Sequence, residues 1–123
     1  MTTSCNGLLM SLVGKPLTAV SFVLDYVTLQ FEDAFLTALS LPQVESNNTT
    51  LSFGDNGYRD MLCKPIGCHV RVASETDDEK ILLEFDDDSM FSIPFGLDQC
   101  DGPEAAILQI GQEKWCVWRP GEQ

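Results

Sequence analysis

The sequence predicts an α+β fold, mainly β, made of two similar halves that close into a rolled sheet, a sandwich or a barrel. Three observations predict it. Gly7-Leu8-Leu9-Met10-Ser11-Leu12-Val13-Gly14 aligns with Asp60-Met61-Leu62-Cys63-Lys64-Pro65-Ile66-Gly67 about 53 residues later, and Val27–Asp33 aligns with Ile81–Asp87 after a one-residue insertion. Self-similarity at a fixed spacing is the signature of a repeated structural unit. After each glycine the apolar pattern changes to a period of two, the strand period. Clusters of Asp, Glu, Asn and Gly then divide the strand-like runs at hairpin spacing. At 123 residues the chain fits one domain over 1–123, with repeats spanning about 7–53 and 58–118.

Each unit opens on a short helix. In the second, Asp55-Asn56-Gly57 supplies turn and capping chemistry before Tyr58–Cys63, Pro65 cannot continue the helix, and Gly67 accepts backbone angles that other residues resist. In the first, Leu8–Val13 ends at Gly14, with only Thr2, Thr3, Ser4 or Asn6 to cap it. Strands follow. Leu17, Ala19, Ser21 and Val23 share one face against Thr18, Val20 and Phe22, and His69, Arg71 and Ala73 alternate with Val70, Val72 and Ser74. Asp25 and Glu75–Glu79 mark hairpin turns into Val27–Phe31 and Lys80–Phe85, and Glu32–Ala34 and Asp86–Ser89 lead into Phe35–Leu41 and Met90–Phe95. Each three-strand meander precedes a polar connection and one further strand, Thr49–Phe53 or Lys114–Trp118. Asp101-Gly102-Pro103-Glu104-Ala105-Ala106-Ile107 has the cap and early proline of a third helical turn.

The formal charge is −12, and it is uneven: residues 1–62 carry 6 acids and 2 bases, residues 63–123 carry 13 and 5. Such acidity repels phosphate backbones and anionic lipid, so nucleic acid and membrane are not the expected partners, and a basic protein is. The N-terminus has no basic residue before its short apolar run, unlike a secretory signal. No apolar stretch nears the roughly 20 residues of a membrane helix. Five cysteines at 5, 63, 68, 100 and 116 are an odd set without a Cys-x-x-Cys pair. The reading is a protein of the reducing cytoplasm without a disulfide framework.

No residue set identifies a reaction. Gly-x-Ser-x-Gly, His-Glu-x-x-His, Gly-x-Gly-x-x-Gly and the phosphate-binding loop pattern are all missing. Glu75–Glu79 and Asp86–Asp88 sit at opposite ends of one strand, roughly 23 Å apart at strand rise, and cannot share an ion. Cys63, Cys68 and His69 offer three ligands, but a structural zinc site needs a fourth, which only tertiary contact with Cys100 or Cys116 could bring. No metal or cofactor is expected. The candidates for partner recognition are the acids Asp77, Asp78, Glu79, Asp86, Asp87 and Asp88, with Tyr58, Trp115 and Trp118 as aromatic anchors.

Gly14–Phe31, Tyr58–Cys63, Ile66-Gly67 and Gly102–Ala106 together resemble a group of small uncharacterised bacterial proteins. More loosely, the chain resembles the acidic immunity proteins that neutralise bacterial toxins. The resemblance implies no site residue. The leading expectation is a non-enzymatic cytoplasmic protein-interaction module, immunity-like in type. One rival is a small enzyme or ligand-binding protein with a pocket between the halves, using Cys63, His69, Asp60 or Tyr58. The other is a self-associating structural protein, a homodimer pairing through exposed sheet edges.

Overall fold

Residues 5–97 and 102–120 are described in the computed structural model, and they form an α+β fold, mainly β, of two five-stranded antiparallel sheets and two short helices. In chain order the elements are α1 (Cys5–Met10), β1 (Leu17–Val23), β2 (Tyr26–Phe31), β3 (Ala34–Ala38), β4 (Gln43–Ser46), β5 (Thr49–Leu51), α2 (Tyr58–Cys63), β6 (Val70–Glu75), β7 (Lys80–Phe85), β8 (Met90–Pro94), β9 (Ala106–Ile110) and β10 (Lys114–Trp118). No helix among the described residues is long and apolar enough to cross a membrane.

Both meanders form as the alternation predicts, but neither keeps its closing hairpin. The first sheet has the order β1-β2-β3-β9-β10 and the second β5-β4-β8-β7-β6. The β4–β5 hairpin therefore leaves the strands that precede it and pairs with β8, while β9–β10 pairs with β3. The helices cross as well: α1 packs against β6, β9 and β10, and α2 against β4 and β1. Where the halves meet, Gly14 N–H donates to the Val70 carbonyl at 2.8 Å and Gly67 N–H to the Leu17 carbonyl at 2.8 Å. Leu17 and Val70 N–H then donate to the Cys68 and Lys15 carbonyls at 3.0 and 2.9 Å. Gly14 and Gly67 take φ of 90° and 95° there, and a Cβ on either would touch nothing. Strain rather than a clash should set the cost of Gly14→Val or Gly67→Val, about 1–3 kcal/mol each, seen as a lower urea midpoint. An unchanged midpoint in both would show that the turn does not need its left-handed backbone.

Several expectations require correction. The first helix is Cys5–Met10 rather than Leu8–Val13, and residues 11–14 continue it only as turns. The expected helical turn at 101–107 is not helical in its described part, residues 102–107; Ala106 and Ile107 begin β9, because Ala106 and Leu108 must alternate into the core opposite Ala38 and Leu36. Asp101 lies outside the described residues, as does Cys100. The polar stretch 42–57 holds the short strand β4 as well as β5, since Val44 is fully buried opposite Phe91. Register shifts after Leu17 and after Val70 break the simple alternation. A bulge of this kind puts an extra residue in one strand and flips the faces beyond it. Leu17 consequently points inward while Ala19, Ser21 and Val23 point outward, and Val70 is separated in the same way from Val72.

The inner faces of both sheets supply one buried cluster. Phe31, Leu29 and Leu36 come from the first sheet, and Phe85, Leu83, Ile81, Phe91 and Ile93 from the second, all fully buried. Phe85 and Phe91 meet edge to face, with centroids 5.0 Å apart and planes at 63°. That geometry sets the positive ring edge against the negative ring face. Leu9 and Leu12 bring the α1 segment into the same core, and Leu62 and Tyr58 bring α2.

Candidate functional site

Two surfaces and two clefts stand out, and charge separates the surfaces. The strands and flanking turns of the first sheet carry five acids and three bases among the described residues. Those of the second sheet, with α2 and its connections, carry eleven acids and four bases. The folded chain thus concentrates its negative charge on one layer.

Within that layer the two acidic runs are fixed at opposite ends of β7 by turn chemistry. At the β6–β7 turn, Thr76 N–H donates to the Lys80 carbonyl at 2.8 Å and Glu79 takes φ 59°. The Thr76 hydroxyl donates to Asp78 Oδ1, and Lys80 Nζ stands 3.6 Å from Asp78 Oδ2. Those donors, Thr76 first, hold the Asp78 carboxyl below its ordinary range. Asp77 has no hydrogen-bond or ion-pair partner among the described residues. At the β7–β8 turn the acids are more engaged. Asp87 accepts from the backbone N–H and hydroxyl of buried Ser89 at 2.9 and 3.1 Å. Arg71 bridges Glu84 at 2.8 Å and Asp88 at 2.7 Å, and Asp86 Oδ2 lies 3.6 Å from His69 Nδ1. Asp78 and Asp88 remain largely open to solvent.

The aromatic candidates divide. Trp115 is 63% exposed on β10. Trp118 lies in the core, its indole N–H donating to Glu75 Oε2 at 2.7 Å, and Tyr58 is buried with its hydroxyl donating to the Pro42 carbonyl at 2.5 Å. Burial pushes the Tyr58 phenol up to about 12. Both residues close the fold, and only Trp115 is presented outward.

The outward face of the first sheet is a surface that sequence reasoning missed. Its strands turn Ala19, Ser21, Val23, Tyr26, Thr28, Gln30, Phe35, Thr37, Ile107, Gln109, Trp115 and Val117 away from the core, as the register and the buried alternate residues require. None carries a formal charge. The corresponding face of the second sheet carries Glu45, Lys80 and Glu84. The signal was present in the letters as uncharged alternate positions, but it needed the bulge after Leu17 to bring β1 into phase.

Of the residues of the enzyme reading, Tyr58, Asp60 and Cys63 share α2, while His69 stands apart beside Asp86. Tyr58 is tied to Pro42, Cys63 is near Asp60, and His69 faces Asp86. Cys68 lies beside Asp86 and Asp87, and burial followed by those carboxylates pushes its thiol up. The thiols of Cys5, Cys63 and Cys116 are also raised, each chiefly by burial. A thiol nucleophile needs the opposite shift. Among the described residues no three His, Cys, Asp or Glu side chains group as a metal site. One cleft, of about 300 Å³, runs along Phe53–Asp60. A larger one, of about 630 Å³, lies between Gly7, Leu8, Ser11 and Lys15 of the first half and Ile110, Glu113, Lys114 and Trp115 of the second.

Compared with known protein families, curated proteins and solved structures, the chain matches none.

Proposed function

We propose that this protein is a non-enzymatic protein-interaction module of the cytoplasm that receives a basic partner on its carboxylate-rich second sheet. The observation that carries the reading is the segregation of acids by layer: eleven acids against four bases on the second sheet with α2 and its connections, and Asp77 without a partner among the described residues at the β6–β7 turn. Complementary charge steers such partners together and sets the association rate more than the final affinity. An immunity-type role, with a basic toxin as the partner, fits the same surface.

We also read the chain as a doubled unit. The hydrogen bond from Gly14 to Val70 has its counterpart, 53 positions on, in the bond from Gly67 to Leu17, and the bond from Leu17 to Cys68 has its counterpart in that from Val70 to Lys15. The bulges after Leu17 and Val70 obey the same spacing.

The test is capture from the native host at two salt concentrations, beside a variant carrying Asp77→Lys, Asp78→Lys and Glu79→Lys. The expected result is a basic partner whose association slows severalfold as salt rises and which the triple variant loses. A partner indifferent to salt and to the variant, or no partner, would refute the reading. The cleft of about 630 Å³ favours a second reading, a small-ligand site between the halves in which Lys114 meets an anionic group and Trp115 an apolar one, Lys15 being paired with Asp33 at 2.9 Å.

A further inference from the structure

We propose that the outward face of the first sheet binds a second copy of this chain, face to face, about a two-fold axis lying along β3. The surface is independent of the acidic layer.

The first argument is charge. In a chain of net charge −12, a sheet face whose outward strand positions carry no ionised side chain stands apart from the rest of the surface. A charged partner placed there would lose water from its ions without gaining counter-charges, which is costly. The occupant must therefore offer an uncharged face, and the chain's own copy of this surface is one. Joining at this face also keeps the acidic layers apart. With sheets stacked about 10 Å from one another, the two carboxylate-rich sheets would lie roughly 30 Å apart, several Debye lengths at physiological salt.

The second argument is relief. β3 is the middle strand of five, so a two-fold along it lays each edge of the sheet over the opposite edge of the other copy. One cross-strand row reads Ala19, Gln30, Phe35, Gln109, Trp115. Under that axis Phe35 meets its own copy, Gln30 meets Gln109, and the large exposed Trp115 meets small Ala19, with Ser21 beside it. Bulk on one edge thus faces room on the other. Trp115 and Phe35 are 63% and 42% exposed, so both have apolar area left to bury. Five strands at about 4.8 Å spacing and five residues at about 3.3 Å rise give a flat footprint near 400 Å². Side-chain relief enlarges that toward the roughly 800 Å² of accessible surface per partner in a stable complex. The face is also a better contact than the edges, because β1 and β10 are flanked by α2 and α1.

Sedimentation of the unmodified protein over a concentration series tests this. A concentration-dependent species of twice the 13.6 kDa chain mass is expected, not weakened by added salt. Trp115→Arg and, at the opposite edge, Ala19→Arg should each weaken it about 30-fold or more, as loss of an interface anchor does. Circular dichroism confirms that the variants fold, and Asp77→Lys should leave association intact. Should a variant unfold, acrylamide quenching of the unmodified protein still decides: Trp115 emission should become protected as concentration rises, over the constant background of buried Trp118. A protein that stays monomeric to millimolar concentration overturns the proposal. So does a dimer unchanged by both arginine variants.

Discussion

Replacing Phe85 by alanine should cost about 3–5 kcal/mol of folding stability, the largest single effect expected of any substitution considered. Phe85 is fully buried at the end of β7, it forms the edge-to-face pair with Phe91, and its backbone N–H donates to the Ser89 carbonyl at 2.9 Å to open the acidic turn. Removing the ring forfeits its transfer from water and leaves a cavity between elements that cannot collapse freely, since β7 is hydrogen-bonded on both sides. For a domain of this size that loss lowers the thermal midpoint by about 10–20 °C. Phe85→Leu, which keeps most of the volume, should cost less than half as much. Equal destabilisation by leucine and alanine would show that the aromatic pair, rather than packing volume, holds the site.

The second large effect is a loss of stability in alkali. Tyr58 is buried with its hydroxyl on the Pro42 carbonyl, and its phenol is pushed up to about 12 from the ordinary 10. The unfolded chain therefore ionises this group first. Its contribution is complete below pH 10 and disappears as the pH rises to about 12, a change of about 2–3 kcal/mol. Cys116 acts in the same sense and earlier. Burial raises its thiol from an ordinary value of 9, so its share begins to fall once the pH passes 9. Urea denaturation at several alkaline pH values measures the sum. Tyr58→Phe should be somewhat less stable at neutral pH, by about 1 kcal/mol for the missing hydrogen bond, yet escape the loss of about 2–3 kcal/mol above pH 10, so its curve meets that of the parent and crosses above it before pH 12. Cys116→Ala should flatten the earlier part of the decline. Parallel curves for parent and Tyr58→Phe would show that the phenol ionises equally in both states.

Much of the fold was legible because strands announce themselves locally. Val27–Phe31 alternates apolar and polar residue by residue, Lys80–Phe85 does so but for Leu82, and an alternating run can bury only one face. Gly14 and Gly67 marked their turns because positive φ favours glycine. The strand β9 was misread as a helical turn because Pro103, Glu104 and Ala105 carry good helix-start chemistry, and that local preference yielded to pairing with β3. Of the candidate site, the acidic turns were visible as runs of letters, whereas the aromatic residues were not separable. Trp115 and Trp118 are three positions apart on one strand, and their opposite fates follow from the inward phase that Cys116 and Trp118 share.

What the sequence determined alone is the strands of the two meanders and the hairpin turns between them, the strong negative charge and the absence of familiar catalytic spacings, all properties of neighbouring residues. Only the tertiary structure decided which sheet each closing hairpin joins, since β4 and β9 bury the same kinds of side chain wherever they pair. It also decided the faces of β1 and β6, because a bulge of one residue inverts everything beyond it and leaves no mark in the pattern. From those two choices comes the uneven surface, with carboxylates gathered on one layer and a sheet face free of charge on the other.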